Sequence, residues 1–395
     1  MIKNIFKRSG LFFGGSIISK IFTSTAYILL SRFLTPDKYG QGILSATLIV
    51  LGSVVGEFGL NQWYQKQEKE ESAFTTYIKL RMILAMFVAL VVFTVTNYLH
   101  WLPFSLNLIT SLALIPYALL SVAIAYLIRN KQVLKSSLWQ IIQIAPIFLV
   151  IFLKQHGLQI EEVLIANFIG VSLAVCVIFP WHKLQNMALI HLPLRSALRS
   201  SSKYALLNYT SVTYARADSI LVRNYLGEAA LGFYGLAYRY LEYFALFPSA
   251  LVQILFPIFA QNKDVRPRQI ILLTALMGAL GAFFALILAL GAKFVILHFH
   301  GDAYASSIQV MQLLSITLLL FFINAPLATF VQASDLVKKF LPFGVANTIL
   351  SIVLNIIYIP LYGIIGAAIV MMITELSGLI INIIFTKRVL TTYDK

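Results

Sequence analysis

Charge is what this sequence has least of. Only 11% of its 395 residues are Asp, Glu, Lys or Arg, while 59% are hydrophobic, and the mean hydropathy is +0.85. A soluble globular chain carries about 25% charged residues, so the scarcity excludes a water-soluble protein. Cysteine is almost absent as well. The single Cys176 cannot form an internal disulfide and reads as a small packing residue in an apolar run. No His or Cys cluster has metal-ligand spacing, and no glycine-rich phosphate loop occurs. His156, His182, His191, His298 and His300 lie near loops and read as ordinary surface histidines. No connection between apolar runs is long enough for a soluble catalytic domain. The expectation is a protein with no enzymatic activity, metal or cofactor. Alternating apolar and polar runs are missing too, which excludes an outer-membrane barrel.

Long apolar runs are what the chain has in abundance. A helix needs about 20 apolar residues to cross a hydrocarbon core about 30 Å thick. Twelve segments meet that length: 10–34, 41–60, 77–98, 105–128, 136–154, 161–181, 203–225, 229–260, 269–291, 305–331, 337–359 and 361–386. The expected fold class is an all-α integral membrane protein. The first run is too long for the apolar core of a cleavable signal, and no small-residue cleavage site follows it.

The net charge of +15 follows from topology rather than from nucleic-acid binding. With the N-terminus inside, only Arg32, Lys38, Lys154, Arg223 and Lys293 of the 30 basic residues fall on the outer side, and Lys20, Arg216 and Arg239 fall within spans. All the others lie on the inner side, as the positive-inside rule requires for twelve spans with both termini in the cytoplasm. Arg81 is counted among these inner residues. The basic face suits anionic lipid headgroups.

Residues 183–202 are basic and amphipathic, and read as an in-plane linker between six-helix halves at 1–182 and 203–395. An offset of 192 brings Leu34, Tyr39 and Gly40 onto Leu226, Leu231 and Gly232, and an offset of 206 brings Gly157 onto Gly363. Six spans per half give both halves one orientation, the signature of a parallel repeat.

Charges within the apolar runs are the candidate functional residues: Lys20, Glu57, Arg216, Asp218, Arg239, Glu242 and Glu375. A charge at mid-membrane costs about 3 kcal/mol or more, so such residues are rare and used. Four of them lie in the hairpin from Lys203 to Gln261, which turns at Gly227. Arg239 and Glu242 are three apart and share a helix face. Asp218 and Arg239 fall at similar depth on its two limbs, and one reading pairs them structurally. The other makes Lys20, Arg216 and Arg239 the cationic lining of a cavity for an anionic headgroup such as a pyrophosphate, because Arg grips phosphate oxygens bidentately. Glu57, Asp218, Glu242 and Glu375 are candidates for coupling, by carrying H⁺ or Na⁺, or for ion pairing. The hairpin is also dense in tyrosine, which packs on sugar faces but more often simply fills a core. Pro116, Pro146, Pro248, Pro257 and Pro326 interrupt spans and are kink or hinge candidates.

The turn SRFLTPDKYGQG, the run ADSILVRNYLGEAALGFYGLAYR, the following FPSALVQILFPIFA and the later LNIIYIPLYGIIGAAI resemble the polysaccharide and O-antigen flippases. These belong to the multidrug, oligosaccharidyl-lipid and polysaccharide exporter superfamily. The resemblance implies a MATE-like fold of two six-helix bundles arranged as a V. It also implies alternating access that moves an undecaprenyl-pyrophosphate-linked oligosaccharide across the bacterial inner membrane for O-antigen and lipopolysaccharide synthesis. A polysaccharide polymerase and a chain-length regulator are the partners it suggests. By position, Lys20, Arg216, Asp218, Arg239 and Glu242 would line the cavity. Twelve spans argue against the lipid II branch, which usually has fourteen. A cation-coupled multidrug exporter is the first alternative, and it would favour an acidic cavity. A membrane-embedded polymerase is the second, and it would generally need a large outer loop.

Overall fold

The computed structural model describes residues 21–67, 70–130, 132–154, 157–184, 194–261, 267–334 and 336–393. Among them no strand occurs, and α-helices account for nearly all of the chain. They are α1 (21–33), α2 (Pro36–Glu57), α3 (Leu60–Gln65), α4 (Glu70–Tyr98), α5 (Phe104–Arg129), α6 (Val133–Leu153) and α7 (Ile160–Ile178), followed by α8 (Leu194–Phe244), α9 (Leu246–Gln261), α10 (Pro267–Val295), α11 (Ser307–Ala333) and α12 (Val337–Tyr393). Backbone N–H and C=O groups have no water to bond in hydrocarbon, so a spanning chain of this composition closes its hydrogen bonds within helices.

Seven described helices are long and apolar enough to cross a membrane. The last of these is a 53-residue run, Lys339–Thr391, that turns at Gly363 (φ 61°) and so holds two of the twelve expected spans. The other four expected spans are absent from that set for separate reasons. The run 10–34 lies partly outside the described residues. The described apolar part of α6 is only Trp139–Leu153. The charged residues of α8 depress its hydropathy, and α9 is 16 residues long. Helix α8 is itself two limbs meeting at Gly227, where φ is 85° and ψ −175°. A residue with a Cβ is strained there, which is why glycine makes this turn.

The chain forms two compact units, Met1–Ala26 with Gln41–Arg216, and Tyr27–Gly40 with Ala217–Lys395. The later division point falls inside α8. Of the linker 183–202, residues 185–193 lie outside the described residues and 194–202 open α8.

In the first unit α5 is the central helix, packed against α3, α4, α6 and α7. Its small and branched residues Leu120, Val122, Ala123 and Ala125 join Leu60, Tyr64, Phe74, Tyr77 and Val171 in one core. Arg129, at the end of α5, lies over the Tyr64 ring at 4.8 Å and donates to the Tyr64 and Gln67 carbonyls, closing the end of α3. Polar side chains inside this unit bond to one another. Tyr77, Asn61 and Ser121 form one such group, Tyr117, Gln143 and Asn167 a second, and Thr96 with Asn107 a third. Pro116 lies buried within α5 and Pro146 within α6.

In the second unit α11 takes the central place, packed against α9, α10 and α12. Phe259, Ile270, Leu327, Phe330, Leu379 and Val389 make its core. Pro326 is buried in α11, while Pro248 and Pro257 belong to α9. Helix α12 has two further prolines, Pro342 and Pro360. Large side chains such as Phe87, Leu90, Leu290 and Phe294 face outward, as lipid-facing positions do and a soluble surface rarely tolerates.

Asn107 is fully buried and donates to the Phe93 carbonyl at 3.0 Å. Replacing it by Ala removes that donor and leaves Thr96 without its amide partner. Asn107→Ala is therefore expected to cost about 1–3 kcal/mol, read as a lower midpoint of thermal unfolding in detergent, while Asn97→Ala at the surface should leave the midpoint unchanged.

Candidate functional site

The densest group of polar and aromatic side chains in the second unit gathers around Arg239, on the second limb of α8. Its Nη1 donates to Glu242 Oε2 at 2.8 Å, one turn along the same helix, and its guanidinium lies 4.5 Å from the centre of the Tyr27 ring on α1. Side-chain exposures of 13% and 26% leave this pair reachable from outside the protein core. A guanidinium has five donors, so one carboxylate and one ring leave it able to take a further oxyanion. Tyr39, Tyr240, Tyr27 and Glu242 all lie within electrostatic reach of one another or of Arg239. The Tyr39 hydroxyl is buried and has no hydrogen-bond partner among the described residues.

His300 closes one edge of this group. It lies in the π-helical turn Ile296–His300, which ends at Gly301. Its Nδ1 is 2.8 Å from Ser31 Oγ and its Nε2 is 2.7 Å from Tyr240 Oη. Ser31 spends its one hydroxyl proton on the Ile28 carbonyl at 2.6 Å. Both ring nitrogens of His300 are thus engaged by hydroxyl groups.

Asp218 is hydrogen-bonded to neighbours other than Arg239, the partner that one of the two readings gave it. Its Oδ2 accepts from the Tyr234 hydroxyl and its Oδ1 from the backbone N–H and hydroxyl of Ser219. The structure pairs Arg239 with Glu242 and not with Asp218. Glu242 sits on the same helix face at i+3, whereas Asp218 is turned towards Tyr234. Arg216 is half-buried and ends the first unit, and the second unit resumes at Ala217, the residue before Asp218. Lys20 lies outside the described residues.

Two candidates stand apart from this group. Glu57 lies in the first unit, within electrostatic reach of Arg81. Arg81 is 1% exposed, donates from Nη2 to the Ser53 carbonyl at 3.1 Å, and has a buried Nε with no hydrogen-bond partner among the described residues. Tyr209 from α8 packs beside them, donating to the Val55 carbonyl at 2.8 Å. Glu375 is buried in the second unit and lines an open cavity of about 320 Å³ together with Asn324, Ser249, Pro248 and Phe321. Asn382 donates to Asn324 at 2.7 Å, while Asn347 bonds the Thr374 carbonyl and Ser377 nearby. Among the described residues no group of three or more His, Cys, Asp or Glu is placed to hold a metal ion.

Three residues of interest escaped the sequence reading. Arg81 was counted with the cytoplasmic basic residues, yet it lies inside the run 77–98, and that position was the available signal. His300 reads as a surface histidine near a loop but is 9% exposed. Tyr39 carried no signal at all beyond its place in the turn.

This arrangement belongs to a known architecture. The structure of the lipid II flippase MurJ in an inward closed conformation aligns over 97% of this chain and 90% of its own, with a TM-score of 0.69 at 15% identity. An inward-facing multidrug resistance MATE family transporter of the MOP superfamily aligns over 95% of each chain, with a TM-score of 0.72 at 11% identity. Fold and buried charges together define a multi-pass membrane protein with the MATE-like transporter fold. A family profile described as polysaccharide biosynthesis protein matches residues 29–309, and the chain belongs to that family. A curated relative, "Probable flippase AglR" of Haloferax volcanii, is 26% identical over 202 residues, which are 48% of this chain and 42% of AglR.

The Tyr234–Asp218 hydrogen bond is charge-assisted and buried. Tyr234→Phe is expected to cost about 1.5–3 kcal/mol, measured as a fall in thermal stability in detergent, whereas Tyr225→Phe at the exposed end of the other limb should cost nothing measurable.

Proposed function

We propose that this protein is a flippase that carries an undecaprenyl-pyrophosphate-linked oligosaccharide, an O-antigen repeat or a similar unit, across the bacterial inner membrane. The observation that carries the reading is the family match over residues 29–309. AglR, named a probable flippase, and MurJ, named a lipid II flippase, lend it support. On this reading the two six-helix halves, 1–182 and 203–395, form a V with both termini in the cytoplasm, and the cargo passes between them by alternating access.

Arg239 supports an anionic cargo: it is held in place by Glu242 and Tyr27 and keeps donors to spare for a pyrophosphate oxygen. Lys20 and Arg216 are its proposed companions in a cationic lining. An H⁺ or Na⁺ gradient drives the cycle through one of Glu57, Asp218, Glu242 and Glu375. Glu375 is the foremost of these, because a buried carboxylate beside an open cavity and a carboxamide can bind and release a small cation. Pro248 beside that cavity and Pro116, Pro146, Pro257 and Pro326 elsewhere are the bends that let the bundles flex. A polymerase and a chain-length regulator would act on the delivered unit.

Deleting the gene should leave single lipid-linked units on the cytoplasmic face and remove the surface polymer, as seen by lipid extraction and glycan analysis. Restoring the gene with Lys20→Ala, Arg216→Ala or Arg239→Ala should recover less than about a tenth of the polymer at equal protein level, taking about 1.4 kcal/mol as the value of a tenfold loss. Unchanged glycan with altered drug tolerance would instead identify a multidrug exporter.

A further inference from the structure

The first unit carries a second cationic group, apart from its buried Arg81. It lies where α3 meets the start of α8, at the end of the unit that the basic residues mark as inner. Lys66 caps α3, and Lys203 and Tyr204 belong to the first limb of α8. Lys66 Nζ donates to Tyr204 Oη at 2.9 Å and lies 5.0 Å from the centre of its ring. Lys203 Nζ lies 5.2 Å from the same centre and acts on the same hydroxyl. Both lysines are exposed, and among the described residues no carboxylate pairs with either. Two ammoniums thus gather on one neutral phenol, although like charges repel. An anion between them would remove that repulsion.

The backbone around the group is fixed from both ends of α3. Gly59, with φ at 69°, separates α3 from α2. A Cβ built on it would lie 2.7 Å from Tyr204 Cβ and 2.5 Å from the Ser201 carbonyl oxygen, so the start of α8 rests directly on this break. At the other end, Arg129 donates to the Tyr64 and Gln67 carbonyls on either side of Lys66. The free carbonyls of a helix C-terminus repel anions, and Arg129 offsets that repulsion here. Along α8 the chain before Tyr204 is polar, with Arg195, Arg199 and three serines, whereas Leu206 and Leu207 just after it are exposed apolar residues. The group therefore sits at the level where water gives way to hydrocarbon.

We propose that Lys66, Lys203 and Tyr204 form a docking site for the pyrophosphate headgroup of a polyprenyl lipid, which binds there before it enters the transport path. The proposal rests on the flippase reading above and adds a site distinct from Arg239, which belongs to the other unit. The ammoniums supply point charges for phosphate oxygens, and the Tyr204 hydroxyl adds a donor. Charge selects the headgroup. A pyrophosphate joining lipid to sugar carries two negative charges, whereas the diester of a phospholipid carries one. The polyprenyl chain lies along Leu206 and Leu207.

The test measures equilibrium binding of tritium-labelled undecaprenyl-pyrophosphate-linked N-acetylglucosamine to the full chain in phosphatidylcholine nanodiscs. Lys66→Gln with Lys203→Gln is expected to weaken binding at least about tenfold, and Lys66→Arg with Lys203→Arg to keep it within about threefold. Lys79→Gln with Lys339→Gln removes the same charge from two other exposed positions and should leave binding unchanged. Undiminished binding in the Lys66/Lys203 glutamine variant overturns the site. An equal loss in the Lys79/Lys339 control overturns it too, because the attraction would then belong to the basic surface as a whole. Phosphatidylglycerol mixed into the nanodisc should compete only weakly; full displacement of the probe by an equal amount of it would mark a resident phospholipid site and overturn the pyrophosphate assignment. Binding is read without transport. A probe held through Lys66 and Lys203 in a protein whose deletion leaves the surface polymer intact would defeat the flippase reading and leave the site standing.

Discussion

Hydrocarbon leaves a polar group nowhere to go but another polar group of the same chain. That constraint shapes every level of this protein. The backbone answers it with helices. Asn61, Tyr77 and Ser121 answer it by bonding to one another, as do Tyr117, Gln143 and Asn167. The charged residues answer it in the most local way available: Arg239 takes Glu242 on its own helix, and Asp218 takes the hydroxyl of Tyr234. A buried ion left alone costs several kcal/mol, so a chain that keeps such groups also keeps their partners close.

The two units solve the packing problem alike. Each sets one proline-bearing helix, α5 or α11, at its centre and arranges neighbours around it. Each polar group differs in character, however. The first unit buries Arg81 near Glu57 and Tyr209. The second unit holds Arg239, His300 and the tyrosines in one place and Glu375 in a separate open cavity.

The sequence alone determined the class: continuous apolar runs of about 20 residues have no soluble solution, and a few motif stretches carried the family resemblance. It also located most charged candidates, since any ionisable residue in such a run stands out. The partners were decided only in three dimensions. Asp218 and Arg239 sit at matching depth on paper, but rotation about the helix axis turns one towards Tyr234 and the other towards Glu242. His300 looked exposed because sequence distance says nothing of a residue 269 positions away; Ser31 buries it. The repeat offset hinted that Gly40 and Gly232 correspond. That each lies against the carbonyl of the residue four before the other is a fact of close backbone approach, set by how the helices cross and invisible to a pattern read along one strand of sequence.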